Sequence, residues 1–173
     1  MGAKFQSVKE KVITQKELLV VLKSWKESHQ KIVFTNGVFD LLHRGHIEYL
    51  AQTADFGDKL IVAVNADASV KRLGKGDSRP LQDEASRALI IAALEFVDAV
   101  VIFDADTPLD IISTIKPNVL IKGGDYDPNC TDATDKKYIV GSGIVKNNRG
   151  EVKVVQFVEG YSTTKIEEKI KAK

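Results

Sequence analysis

The sequence predicts an α/β fold, a Rossmann-like parallel sheet with helices on both faces. Three observations carry that reading. Short apolar runs of four to six residues recur at 31–35, 59–64, 99–103, 118–121 and 152–157. Segments with helical periodicity lie between most of them, and strands alternating with helices imply βαβ units and a sheet covered on both sides. The length of 173 residues suits one domain with a real core.

The elements follow in order. Thr14-Gln15-Lys16-Glu17 has the capping-box pattern and opens a helix over 14–28, with Leu18, Leu19, Val21, Leu22 and Trp25 at helical spacing. Residues 1–30 are therefore expected to form an N-terminal helical extension, and 31–173 the main domain. Lys31-Ile32-Val33-Phe34-Thr35 is an apolar run of the length of a buried strand. A helix is expected over 47–54, a strand over 59–64, a helix over 83–95 and a strand over 99–103. Thr107-Pro108 should open the next helix, with the threonine as cap and the proline at the first helical position. Strands at 118–121 and 152–157 and a helix at 164–171 complete the pattern. The stretch 128–150, which carries Gly141, Gly143 and Asn147-Asn148-Arg149-Gly150, is expected to be an irregular excursion.

Composition narrows the function classes. Lys+Arg number 25 against Asp+Glu 24, a net charge of +1, which argues against the broad basic face that nucleic-acid binding needs. No apolar run reaches the roughly 18 residues of a membrane span, and the N-terminus lacks the apolar core of a secretory signal. The single cysteine, Cys130, excludes an intramolecular disulfide and fits a reducing compartment. A soluble cytoplasmic protein is expected.

Parallel sheets bind ligands beyond the carboxyl ends of their strands, so the loops after Thr35, Val64, Ile102, Ile121 and Phe157 bear inspection. The first is the most informative: Thr35-Asn36-Gly37-Val38-Phe39-Asp40-Leu41-Leu42-His43-Arg44-Gly45-His46. Gly37 lets the backbone come close to a ligand at a strand end. His43 and His46, three apart at a helix start, share one face, and Gly45 between them leaves room for a bulky group. The positive helix end already favours an anion, and two imidazoles add donors for phosphate oxygens. His-x-x-His also suits a metal, but only His29 and Cys130 remain as soft partners, both distant in sequence. A purely structural histidine pair is the third reading.

Gly37-Val38-Phe39-Asp40-Leu41-Leu42-His43-Arg44-Gly45-His46 resembles the His-x-Gly-His signature of the cytidylyltransferase-like nucleotidyltransferases, and Gly160-Tyr161-Ser162-Thr163-Thr164-Lys165-Ile166 resembles their second motif. Phe34 to Asp40, Val64-Asn65-Ala66-Asp67, Arg79-Pro80-Leu81 and Lys122-Gly123-Gly124-Asp125-Tyr126 extend the likeness toward the heptose 1-phosphate adenylyltransferase branch, over about 31–170. The resemblance implies a fold of nucleotidyltransferase type. It also implies a reaction: ATP plus D-glycero-β-D-manno-heptose 1-phosphate gives ADP-heptose and pyrophosphate, as in precursor synthesis for lipopolysaccharide core or surface glycan. Mg²⁺ would accompany ATP, and two copies would form a homodimer. Such enzymes are often fused to a sugar kinase, so the length of this chain carries the expectation of a separate heptose kinase.

Roles for particular residues combine the resemblance with their chemistry. His43, His46 and Lys75 are expected to be catalytic, with His46 on the α-phosphoryl transition state. Thr35, Asn36, Gly37, Phe39, Asp40 and Gly45 would hold the nucleotide from the first motif. Lys122, Gly123, Gly124 and Asp125 would join them, because paired glycines expose backbone groups to an adenine edge and Asp125 could bind ribose or start a turn. Ser162, Thr163 and Thr164 suit β- and γ-phosphates at a helix end, although one hydroxyl is explained as a plain cap. Asn65, Asp67, Arg72, Arg79 and Arg87 are assigned to the sugar phosphate; for Asp67 a helix cap, and for the arginines a solvated surface, are the alternatives. Lys71, Arg72, Lys75 and Arg79 make a basic loop suited to a triphosphate and a sugar phosphate, which lacks the P-loop spacing. Asp104 and Asp106 need no catalytic role, and Cys130 reads as inert. Rival readings are CTP with an alcohol phosphate, ATP with phosphopantetheine, and a nucleotide-binding regulatory module. A dehydrogenase is disfavoured by the lack of Gly-x-Gly-x-x-Gly after a strand.

Overall fold

The structure, a computed structural model, describes residues 2–74 and 79–172. In chain order its elements are α1 (Ala3–Glu10), β1 (Val12–Ile13), α2 (Gln15–Glu27), β2 (Ile32–Gly37), α3 (Arg44–Ala54), β3 (Lys59–Asn65) and α4 (Asp67–Arg72). They continue with α5 (Glu84–Ala92), β4 (Ala99–Phe103), α6 (Leu109–Ile115), β5 (Val119–Gly123), α7 (Ser142–Asn147), β6 (Glu151–Val155) and α8 (Thr163–Lys171). The strands form one sheet in the order β1-β4-β3-β2-β5-β6, and every pairing is parallel. The expected α/β class is therefore observed.

The period of two along each strand sorts its side chains between two cores. Ile32, Phe34, Ile61, Ala63 and Leu120 face one layer with Leu18 and Leu22 of α2 and Ile111, Ile112 and Ile115 of α6. Val33, Leu60, Val62, Val64 and Val119 face the other, with Tyr49 and Leu50 of α3 and Ala88, Ile91 and Ala92 of α5. Both faces being covered explains why the strands read as continuous apolar runs.

Where the sequence named an element the structure has one, displaced by a few residues at most. The capping box is present: Thr14 Oγ1 accepts from Glu17 N while Thr14 N donates to Glu17 Oε2 at 2.7 Å. The helix expected to start at Pro108 starts at Leu109 instead. Pro108 takes the cap position with ψ 16°, and no side chain caps the helix; Thr107, one residue earlier, lines the crevice described below. The stretch expected to be irregular carries α7. Its cap, Gly141, has φ +85°, and a Cβ there would stand 2.7 Å from Ile112 Cδ1, so the turn lies flush on the core. Within the first thirty residues, β1 pairs Val12 and Ile13 with Val100 and Val101.

Candidate active site

The chain leaves β2 toward β3 on one side of the sheet and returns to β5 on the other, so the strand order reverses between β2 and β5. Crevices form beyond the carboxyl ends of strands at such a switch point. A cavity of about 800 Å³ lies there. Its walls take Asn36, Gly37, Phe39 and Asp40 from β2 and the following turn, His46 from α3, and Asn65 from the end of β3. Arg79, Lys122 and Gly123, and Thr163 and Thr164 of α8 complete the set of expected residues that reach it. Lys122 Nζ donates to Asn36 Oδ1 and so ties β5 to β2 across the switch point.

The two histidines form one unit. His43 holds the cap position of α3 with an extended backbone, and His46 lies in the first turn. Their rings stack at 3.8 Å between centroids, and Phe39 meets His46 edge-on at 5.3 Å. The glycines of the motif are required by this packing. A Cβ on Gly37 would come within 3.0 Å of the Phe39 ring. One on Gly45 would stand 3.1 Å from the His43 imidazole and 3.3 Å from Tyr161 Cβ. Burial, reinforced by the neighbouring His43 and opposed by a contact with the Leu41 backbone, pushes His46 down to about 4. Burial also lowers His43. Both rings are thus neutral at pH 7, each with one donor and one lone pair. Nδ1 of each is buried with no hydrogen-bond partner among the described residues. Two unpartnered polar atoms at a helix start are costly unless a ligand engages them. An anion there would favour the protonated rings that burial disfavours.

Several other expected residues act on the walls from behind. Thr35 is buried, and its hydroxyl meets Tyr49 Oη at 2.6 Å. Asp40, 3% exposed, accepts from the backbone N–H of Leu81 and of Gln82 and pairs with Arg79 at 3.3 Å. Arg79 also reaches Glu167 of α8 at 2.7 Å, so one guanidinium joins the turn after β2 to α8. Arg87 is fully buried rather than at the surface. It donates to the carbonyls of Gln82, Val38 and Asn65 at 2.9, 2.6 and 2.7 Å, and to Asp67 Oδ1 at 2.7 Å. Asp67 is the first residue of α4 and does not cap it. Arg72 forks onto Asp106 at 2.6 Å and Asp104 at 2.9 Å. Ser162 caps α8 by accepting from Lys165 N, which leaves the crevice to Thr163 and Thr164. Gly124 and the exposed Asp125 lie outside the lining, and Gly124 N donates to Val155 O at 3.2 Å. Lys75 lies outside the described residues.

Sequence reasoning missed part of the lining. Asp106, Thr107 and Pro108 reach it from the turn after β4, one of the strand-end loops singled out above. Tyr126, Tyr138 and Val140 come from the long connection before α7, where no periodicity points to a wall. Tyr49 and Phe157 also line it; the sequence ends a predicted strand at Phe157 and points to the loop after it, whereas β6 ends at Val155.

Fold and crevice together define a Rossmann-like α/β protein of nucleotidyltransferase type. Residues 34–169 match the Cytidylyltransferase-like family, and the chain belongs to that family. It is 48% identical over 170 residues to the "Bifunctional protein HldE" of Geobacter metallireducens, covering 98% of this chain and 33% of that protein. It is 52% identical over 163 residues to the protein of the same name from Campylobacter jejuni serotype O:2, covering 94% of this chain and 32% of that protein. The chain thus spans about a third of the length of the curated relatives it matches. Among solved structures, a lipopolysaccharide core biosynthesis protein from Thermoplasma volcanium aligns with TM-score 0.57 and 28% identity, over 77% of this chain and 99% of that one. Pantoate-beta-alanine ligase from Francisella tularensis shares the fold at TM-score 0.55 and 15% identity, over 92% of this chain and 76% of that one. No helix of the described residues is long and apolar enough to cross a membrane.

Proposed function

We propose that the chain is an adenylyltransferase that moves AMP from ATP to D-glycero-β-D-manno-heptose 1-phosphate, giving ADP-heptose and pyrophosphate. The observation that carries this is the stacked His43–His46 pair at the start of α3, with Nδ1 of each ring unpartnered and His46 in the wall of a crevice at the sheet's switch point. The motifs after β2, after β5 and before α8 support the choice of substrates through their resemblance to the heptose branch, as does the identity of about half with the curated relatives.

An oxygen of the sugar phosphate attacks the α-phosphorus of ATP, and the bond from that phosphorus to the oxygen bridging to the β-phosphate breaks. The nucleophile is already ionised, so no protein nucleophile or strong base is needed. Catalysis rests on positioning and on stabilising the charge that builds on the α-phosphoryl oxygens. His46 is the donor to those oxygens and His43 supports it from the stacked ring. Thr163 and Thr164, at the positive end of α8, suit the β- and γ-phosphates. Arg79 and Lys75 neutralise the phosphates of either substrate. Asn65 and Asp106, at the ends of β3 and β4, offer polar groups to the sugar.

Mg²⁺ fits as a cation that travels on the nucleotide. Of the carboxylates in the crevice wall, Asp40 is engaged by backbone amides and Arg79, and Asp106 by Arg72. Phosphate oxygens would therefore supply most of its ligands, and the ion would offset triphosphate charge. A preceding kinase reaction supplies the sugar 1-phosphate, and two copies of the chain associate in the cytoplasm; both belong to the same proposal.

The test is ATP labelled in its α-phosphate, mixed with Mg²⁺ and the heptose 1-phosphate. Label moving into a sugar nucleotide supports the proposal. Label that stays in ATP, or ends in free AMP or ADP, overturns it.

A further inference from the structure

Gly123 ends β5 at the switch point, and the ring of Phe157 lies against it and its neighbour. A Cβ on Gly123 would stand 2.4 Å from Phe157 Cε1, and one on Gly124 would stand 2.5 Å from Cε2. Neither glycine could carry a side chain while the ring is there, and Gly124 also has φ +90°. The pair therefore makes a flat backbone floor with an aromatic plane resting on it. The ring is not core. Phe157 is 60% exposed, belongs to neither hydrophobic cluster, and sits in the irregular segment between β6 and α8. Its nearest aromatic neighbour is Tyr49, at 6.1 Å between centroids. A large apolar side chain left mostly in water on a cavity wall gains little of the stabilisation that burial gives, and packing of the fold does not account for it.

We propose that Phe157 is the base-stacking residue of the nucleotide subsite. The adenine takes the floor on Gly123 and Gly124, and Phe157 turns about χ1 and closes on the outer face of the base. This rests on the adenylyl-transfer reading above. The movement is a step between staggered rotamers by a side chain outside both cores. Stacking engages the face of any base, so Phe157 supplies affinity and leaves discrimination to edge contacts.

Calorimetric titration of the full chain with ATP, AMP and inorganic tripolyphosphate tests this. Phe157→Ala and Phe157→Leu should each weaken ATP and AMP binding by about tenfold or more and leave tripolyphosphate unchanged, since only the base stacks. Phe157→Trp should bind ATP and AMP at least as tightly as the parent. Unchanged or tighter nucleotide binding by Phe157→Ala overturns the proposal, because the ring then merely covers the glycines. An equal loss for tripolyphosphate, or no AMP binding by the parent chain, overturns it too. Failure of the enzymatic reading is separate: it shows as Phe157-dependent AMP binding without any label transfer to a sugar phosphate.

Discussion

Arg87 is the side chain whose removal most directly tests how the crevice is held together. Its guanidinium is fully buried and donates to three backbone carbonyls and one carboxylate, across α5, the turn after β2 and the end of β3. Arg87→Leu removes all four bonds and keeps an apolar body of moderate size. A bond to a charged donor contributes about 1.5–3 kcal/mol, and the orphaned carbonyls of Val38, Asn65 and Gln82 add a desolvation cost. Two effects offset part of this. Leucine no longer requires a buried charge, and Asp67, whose side chain is 34% exposed, can rehydrate. The net loss should be about 3–5 kcal/mol, a large share of the roughly 5–15 kcal/mol that holds a domain together. Urea unfolding followed by circular dichroism reads it as a lower midpoint at unchanged slope. Arg87→Lys should recover only part, since an ammonium cannot span the same fork. An Arg87→Leu variant within about 1 kcal/mol of the parent would refute the account of Arg87 as the clamp behind the crevice.

Further outcomes follow from the same geometry. His46→Ala should lower turnover by on the order of 10²–10³ while largely sparing ATP affinity, as loss of a transition-state donor does; steady-state kinetics with separate nucleotide titration read the split. Gly45→Ala should fold within about 1 kcal/mol of the parent, because alanine favours the helix. Its Cβ would nevertheless press on His43 at 3.1 Å, so activity should fall by about tenfold or more, in contrast to an exposed control such as Gly143→Ala. Stability should decline as pH falls from about 6.5 toward 4. His46 titrates near 4 in the fold against 6.5 as an ordinary histidine, so in that window the unfolded chain binds a proton that the folded chain refuses. The contribution is complete above pH 6.5, amounts to about 3 kcal/mol, and is lost on the way down to pH 4. His46→Gln should flatten the pH dependence of the unfolding midpoint over that range.

The βαβ alternation was legible because buried parallel strands must be apolar on both faces, and runs such as Lys59–Asn65 and Ala99–Phe103 show that directly. The first motif was legible for a different reason. Gly37, His43, Gly45 and His46 each break the local apolar pattern with a residue whose chemistry or lack of a Cβ has a use. Short elements left weaker traces. β1 is two residues long and α4 six, too short for periodicity to stand above noise. For Arg87 the sequence offers a sugar-phosphate contact, with a solvated surface as the alternative; its complete burial is not legible there, because a buried cation is recognised only through the carbonyls that converge on it from distant segments. Gly123 and Gly124 were read as exposing backbone to a ligand, which left open that Phe157, more than thirty residues on, lies across them.

Nucleotidyl transfer to a sugar phosphate releases pyrophosphate, and that release is the decisive readout. The chain would be assayed with Mg²⁺ and each of ATP, CTP, GTP and UTP, against heptose 1-phosphate, other sugar phosphates, an alcohol phosphate and phosphopantetheine. Pyrophosphate should appear with ATP and heptose 1-phosphate, and be abolished or cut by on the order of 10²–10³ in His46→Ala. Release with CTP and an alcohol phosphate, or silence with every pair while ATP still binds, would contradict it.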